Sequence, residues 1–483
     1  MGVKKRMAFL LAILSVLACA FSVSAESGTD VAALQDTQLM ASSEITVGDI
    51  TYSISDVEAT VIGISGSMSS VSIPARITSG GVTYTVVAIA DDVGSGNDKI
   101  TSISFLDADN LLSIGENCFS YCTSLETVSF IDGGTKLESI GNYAFYYCPK
   151  LKSVSNIDTQ NSLQKVGASV FGLTPFMSSL TEEFVMFGNV LIKYNGDAKN
   201  VVVPQGTVAI SDAFYGKDIV SINFGTSLKY VGDKAFYNCK ELESVVLPST
   251  CKSVGDMAFS GCSSLKRVTY AEGLTNIGFC SFANCDALFS FVYGGEGSSN
   301  LTEVGEYAFW NDRRLFYFDI GEIENVNIGA FWNCFGETPD EVGSVYYYRI
   351  PETVKSIAEG GFGDLLFSYV TVPESIQAFA PTAFGSNASY KKYIVVKGSK
   401  ADTFFANSIY DYIHHGDMNT DGKITAEDIK SVAGFIAKDI NDMNFNYGQG
   451  VIADNNGDNN ITTKDLYDIF RSIKEDYEAS LSK

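Results

Sequence analysis

Between residues 100 and 400 the apolar positions recur in units rather than as isolated helices or strands. The stretches LESIGNYAFYYCPKLKSV, LKYVGDKAFYNCKELESVVLP, CKSVGDMAFSGCSSLKRVTY and LTEVGEYAFWNDRRLFYFDI share one order: an apolar residue and Gly, then Ala-Phe, often Cys, then Leu and a short strand-like run. The anchoring aromatics are Phe119, Phe145, Phe171, Phe214, Phe236, Phe259, Phe282, Phe309, Phe331, Phe362 and Phe384, and most steps are 22–27 residues. A unit that short has one strand-sized apolar stretch and cannot enclose a core. It must bury that side against its neighbours, which predicts a β-rich solenoid of stacked repeats. Within a unit, Leu242, Val245 and Leu247 form the inward set, while Phe236 and Cys239 fill the core from the opposite wall. The Gly ahead of each motif permits a tight corner. Two longer steps hold insertions, FVMFGNVLIKYNGDAKNVVVP before Phe214 and FGETPDEVGSVYYYRIP before Phe362.

The flanks read differently. Alternating Val, Ile and Thr in ITYSISDVEATVIGISGSMSSVSIPARITSGGVTYTVVAI predict capping strands ahead of the first unit. YIVVKGSKADTFFANSIYDYI predicts a short helix from Ser399 that closes the last coil and hides an open edge. HHGD then forms a short junction.

Beyond the junction, GDMNTDGKITAEDI places carboxylates and amides at every second position of a loop and then starts a helix. Calcium takes oxygen ligands from loop positions 1, 3, 5, 7, 9 and 12. Those positions are Asp417, Asn419, Asp421, Lys423 through its backbone carbonyl, Thr425 and Asp428. Gly422 falls at position 6, where the chain turns sharply, and Ile424 points inward at position 8. ADNNGDNNITTKDL repeats the spacing 37 residues later with Asp454, Asn456, Asp458, Asn460, Thr462 and Asp465. Asn459 replaces the glycine, a residue that visits the left-handed region more easily than most. Ile429, Val432, Ile436 and Ile440 follow the first loop at helical steps, and Leu466, Ile469, Phe470 and Ile473 follow the second. Two matched loops predict two Ca2+ ions.

Residues 416–474 resemble a type I dockerin, with Asp at position 12 of both loops and no convincing helix leading into the first. The resemblance implies a small all-α calcium-binding domain with two loop-helix repeats. It also implies a partner, the cohesin module of a scaffold protein in a cellulosome-type assembly. In such dockerins loop positions 10 and 11 help choose the cohesin; here they are Ala426 and Glu427, then Thr463 and Lys464. The two pairs differ in size and charge, so the two pseudo-symmetric docking orientations are expected to be unequal. The repeats, over approximately 45–410, resemble BspA-like leucine-rich repeats, a family of adhesins, glycan-associated proteins and other surface proteins.

Composition fixes the compartment expected. Lys4, Lys5 and Arg6 precede the apolar run MAFLLAILSVLACAF and small residues ending at Ala25, the pattern of a cleaved secretory leader. A lipid anchor at Cys19 is the competing reading. No later segment supplies the apolar length of a membrane span. Loss of the three basic residues takes the formal charge from −24 to −27, which repels nucleic acid and anionic membrane surfaces. Of ten cysteines, nine follow the leader, and six stand three residues after an anchoring phenylalanine. A cysteine at one phase of a repeat is expected to be a buried free thiol rather than half of a disulfide.

The sequence offers no catalytic constellation. Its two histidines, His414 and His415, sit together in the junction, and no G-x-S-x-G elbow, P-loop or dinucleotide fingerprint is present. Paired carboxylates for glycoside hydrolysis are set in space, so the abundance of Asp and Glu decides nothing. Strand alternation predicts an outward row that runs from Thr127 and Ser129 through Ser244, Val246, Arg267, Thr269, Ser290 and Val292. It continues with Tyr317 and Asp319, Tyr347 and Arg349, Tyr369 and Thr371. Arg267, Tyr317, Asp319, Tyr347, Arg349 and Tyr369 are the candidate ligand contacts, suited to stacking on sugars or gripping a protein.

The expected plan is a leader over 1–25, a β cap over 26–99, the solenoid over 100–410, a linker over 411–415 and the dockerin over 416–483. The expected function is non-catalytic: a secreted protein whose dockerin binds a cohesin while the repeats bind a polysaccharide or a cell-surface protein. The alternatives are an enzyme of polysaccharide breakdown and a lipid-anchored adhesin.

Overall fold

The computed structural model describes residues 43–414, except short segments at 132–135, 297, 316, 319–320, 335–346, 366–368, 386–391 and 397, together with Asp417, Lys423, Ile424, Thr425 and Asp428. The leader, the second acidic loop and the helical runs after both loops lie outside the described residues.

Each repeat contributes one strand to each of two faces. On the long-strand face Ser70–Ser72, Ser102–Phe105, Thr127–Phe130 and Ser153–Ser155 pair in parallel. A six-stranded parallel sheet follows from Asn200–Val202 to Tyr317–Phe318, then a four-stranded one from Tyr347–Arg349 to Tyr412–His414. The opposite face is a ladder of two-residue strands such as Ser113–Ile114, Ser139–Ile140, Ser253–Val254 and Asn276–Ile277. The expected cap is present as Ser43–Val47, Ile50–Ser55 and Glu58–Ile64, paired antiparallel.

A phenylalanine stack runs between the faces. Successive rings lie nearly parallel, as in Phe236–Phe259 at 5.0 Å and 2°, Phe259–Phe282 at 5.2 Å and 5°, and Phe309–Phe331 at 5.4 Å and 6°. Offset stacking of this kind adds to the area each ring buries. All nine described cysteines are free thiols, and those three residues after a phenylalanine are buried. Each donates to the carbonyl one coil back: Cys239 to Phe214 at 3.0 Å, Cys262 to Phe236 at 3.1 Å, Cys285 to Phe259 at 3.2 Å and Cys334 to Phe309 at 2.8 Å. Burial pushes the thiols of Cys122, Cys148, Cys239 and Cys251 up to about 12.

The insertion before Phe214 interrupts the stack. Thr174 caps a helix at Pro175–Ser179, its Oγ1 accepting the Met177 N–H at 3.1 Å. A hairpin of Phe184–Phe187 and Val190–Tyr194 follows. Its second strand divides the interior, because Val190 and Ile192 join the core ahead of it while Leu191 and Tyr194 join the core beyond. Alternation along one strand thus supplies a wall to two cores. Phe171 meets Phe187 edge-on, and Tyr194 takes up the stack against Phe214 at 5.1 Å.

At the C-terminal end Ser399 caps the helix Lys400–Ala406, as the sequence suggests, with its Oγ accepting the Asp402 N–H at 3.0 Å. Phe405 of that helix covers Phe384 and Tyr393. The residues expected as a linker depart from that expectation: Tyr412–His414 is a strand paired in parallel with Lys392–Val395. His414 contacts Asp402 through Nε2 at 3.0 Å, so it belongs to the last coil and not to a tether.

Candidate functional site

The corner of each coil explains which side chains face outward. Residues two before and two after each anchoring phenylalanine are left-handed in most coils, as in Lys234 (φ 58°) and Asn238 (φ 57°) around Phe236. The residue after the corner Gly, or after Ala90 in the first coil, is often an Asp or Asn whose side chain accepts an N–H from the next coil. Asp91 Oδ1 takes the Glu116 N–H at 2.7 Å, Asn142 Oδ1 takes Ala168 at 2.6 Å, Asp233 Oδ1 takes Asp256 at 2.9 Å and Asp256 Oδ1 takes Phe279 at 2.8 Å. These bonds tie coil to coil where the short strands end.

That arrangement gathers carboxylates at one place. Burial, and then Asp91, Asp233 and Asp92, push the Glu116 carboxyl above its usual range, and Lys234 opposes them. Burial does the same to Asp256. A groove of about 600 Å³ runs along this edge, lined by Ser113, Ser139, Lys165 and Tyr230 besides Asp91, Glu116 and Asp233. Lys165 Nζ lies 4.8 Å from the centre of the Tyr230 ring.

The candidate row on the long-strand face is described in part. Backbone register aligns Arg267 with Ser290 and Ser290 with Tyr317, and separately aligns Tyr347 with Tyr369. Arg267 is exposed and Arg349 half-buried. Two positions expected outward are buried instead, Ser290 at 7 % and Thr371 at 6 % exposure. Asp319 and the side chains of Tyr317, Tyr347 and Tyr369 lie outside the described residues.

Of the first acidic loop, Asp417, Lys423, Thr425 and Asp428 are described. Asp417 and Asp428, loop positions 1 and 12, are withdrawn from solvent to 1 % and 0 % exposure. Asp428 Oδ2 accepts the Thr425 N–H at 2.7 Å and its hydroxyl at 3.1 Å, which closes the loop's second half onto the helix start. Lys423 is exposed. Asn419, Asp421, Ala426 and Glu427 lie outside the described residues, as do Asp454, Asn456, Asp458, Asn460, Thr462, Thr463, Lys464 and Asp465.

Sequence reading missed the groove, because its carboxylates come from corner positions of separate coils. It also missed a cluster of tyrosines on the same edge. The repeated Gly-Asp and Gly-Asn corners were the available signal.

Strands on two faces around an aromatic stack, coil after coil, define a leucine-rich repeat solenoid. The BspA type leucine rich repeat region matches in six copies, over residues 87–205, 207–337 and 341–425. The chain belongs to that family. No curated protein sequence matches it. Among solved structures it is similar to a leucine rich cell surface protein from Faecalibacterium prausnitzii, at 21% identity over 75% of this chain and 96% of that one, with a TM-score of 0.32. A leucine-rich repeat protein from Bacteroides ovatus follows, at 19% identity over 77% and 99% of the two chains and a TM-score of 0.29. The pneumococcal vaccine antigen PcpA matches at 16% identity over 77% and 98%, with a TM-score of 0.28. Among the described residues no helix is long and apolar enough to cross a membrane.

Proposed function

We propose that this chain is a non-catalytic extracellular binding protein whose repeats hold a glycan or protein ligand. Its C-terminal segment docks onto a cohesin module of a scaffold protein once its two acidic loops have bound calcium. Membership of the repeat family supports a binding role, and the leader pattern supports export.

The observation that carries the docking half is the burial of Asp417 and Asp428 at the two ends of one loop. Withdrawing two carboxylates from water is costly unless a cation or donors offset their charge. The donor set of carboxylate, amide, hydroxyl and carbonyl oxygens suits a hard cation. Asp417, Asn419, Asp421, the Lys423 carbonyl, Thr425 and Asp428 would hold the first ion. Asp454, Asn456, Asp458, Asn460, Thr462 and Asp465 would hold the second. Calcium there supplies positive charge, and the chain supplies the loop closure that Asp428 makes with Thr425. Ala426, Glu427, Thr463 and Lys464 then face the cohesin.

For the repeats, the row of Arg267, Tyr317, Asp319, Tyr347, Arg349 and Tyr369 is one candidate contact surface. Capture of the full chain by immobilised type I cohesins, with and without chelator, tests the docking. Calcium-dependent capture is expected; calcium-independent capture, or none, contradicts it.

A further inference from the structure

A tyrosine cluster stands apart from the long-strand row. Tyr121 packs on Tyr147 at 5.3 Å and meets Tyr146 edge-on at 5.9 Å, and Tyr146 in turn meets Tyr143 edge-on at 5.4 Å. Tyr215 stacks on Tyr237 at 5.1 Å. Lys234 joins the two groups: its Nζ donates to the Tyr143 hydroxyl at 2.6 Å, and it lies close enough to Tyr215 to act on that phenol. The hairpin that divides the stack lies between these coils, and residues 142–143 reach residues 233–234 past the two coils anchored by Phe171 and Phe214, with Asn142 Nδ2 donating to Asp233 Oδ2 at 2.9 Å.

The cluster is built against local preference. Two residues after the anchoring phenylalanine the backbone is left-handed, and from Phe214 to Phe362 that place is held by Gly216, Asn238, Gly261, Asn284, Asn311, Asn333 and Asp364. Those residue types tolerate such a backbone. The three coils before them carry Tyr121, Tyr147 and Leu173 instead, at φ 57°, 54° and 57°. All three are exposed, Tyr121 by 50% and Tyr147 by 44%, so core packing does not account for them. The next coil makes room as well. Gly172 has no positive φ, but an added Cβ would stand 2.9 Å from Tyr146 Cδ2.

We infer that Tyr121, Tyr143, Tyr146, Tyr147, Tyr215 and Tyr237 form a shelf that binds a neutral polysaccharide. This rests on the reading of the repeats as a ligand-binding domain and names their ligand class. Tyr121, Tyr147 and Tyr215 are exposed, and Tyr143, Tyr146 and Tyr237 are half-buried beside them; exposed phenol faces stack on the C–H faces of sugar rings, and their hydroxyls exchange hydrogen bonds with sugar hydroxyls. The surroundings are polar: Ser95 and Ser120 share a hydrogen bond at 2.9 Å, and the Asn142–Asp233 pair borders the shelf. Leu173 is the aliphatic neighbour, too little for the apolar centre of a protein interface. A formal charge of −24 disfavours uronic or sulfated chains. The groove of about 600 Å³ adjoins the shelf across Asn142 and Asp233, so a chain lying on the tyrosines can extend into it.

Affinity electrophoresis of the full chain through cellulose derivatives, xylan, mannan and polygalacturonate tests the shelf. A neutral polysaccharide is expected to retard the wild type. Y121N/Y147N, which installs the residue that other coils use, should weaken that binding tenfold or more without lowering the unfolding temperature. The shelf is overturned if no neutral polysaccharide binds, if polygalacturonate alone binds, if Y121N/Y147N binds like the wild type, or if loss is confined to Tyr317→Ala/Tyr369→Ala. Cohesin capture is read in parallel and should be unchanged in Y121N/Y147N, so failure on glycans removes the shelf and leaves docking to stand or fall by itself.

Discussion

Asp312 stands in the thiol ladder: its Oδ1 accepts the Cys285 N–H at 2.7 Å, while its Oδ2 is buried without a hydrogen-bond partner. It is the third residue after Phe309, the place cysteine holds in neighbouring coils, and it has 0 % exposure. Burial, and then Asp286, hold its carboxyl well above the usual range. Such a group binds more protons folded than unfolded between its two pKa values. Its stabilising contribution is complete below the unfolded value of 3.8 and is lost as pH rises through the folded one.

Asp312→Asn keeps the acceptor for Cys285 and removes the ionisation. It should stabilise the chain at pH 7.5 by about 1 kcal/mol or more, the linkage energy of one unit of pKa shift, because the folded chain no longer has to hold a carboxyl protonated or bury its charge. The gain should shrink as pH falls towards 4. Denaturant midpoints of both proteins across pH check this; a gain that does not vary with pH would contradict it.

The buried thiols set an alkaline limit. Cys122, Cys148, Cys239 and Cys251 have an ordinary value of 9.0 and are pushed up to about 12. Being raised on folding, they contribute stability below pH 9 that is lost between 9 and 12. Native protein at neutral pH should react slowly with a thiolate-seeking reagent at these positions, and unfolded protein should react fully. Rapid labelling in the native state would show the ladder to be open.

Removing a ring from the stack is expensive. Phe259 has 0 % exposure and stacks on Phe236 and Phe282. Phe259→Ala should cost about 3–5 kcal/mol. Urea unfolding measures it, and a cost under about 1 kcal/mol would mean the coils slide to refill the space.

Corner glycines answer to space rather than to backbone freedom. A Cβ on Gly255 would stand 2.7 Å from the Asp233 backbone nitrogen, which cannot turn aside. Gly255→Ala should therefore destabilise by about 1–3 kcal/mol, as overpacking does. An unfolding temperature equal to that of the wild type would refute the close approach.

Much of this fold is legible in the chain. The phenylalanine period predicts the stack, the cysteine phase predicts buried thiols, and Ser399 marks the closing helix. Tyr412–His414 is less legible, because a three-residue run beside two histidines resembles a tether until its pairing with Lys392–Val395 is seen. Ser290 and Thr371 alternate outward in sequence yet are buried by their surroundings. The tyrosine shelf is hidden for another reason. It joins Tyr143 to Lys234, 91 residues apart, and depends on the hairpin that divides the stack. Periodicity within one coil carries no information about such a meeting.

Calcium binding to the full chain is the most direct test of the docking proposal. Isothermal titration of metal-free protein should show two calcium ions bound per chain, with one lost in Asp417→Ala/Asp428→Ala and the repeats' unfolding temperature unchanged. Absence of calcium uptake by the wild type would contradict the proposal and leave the repeats without a calcium-dependent tether.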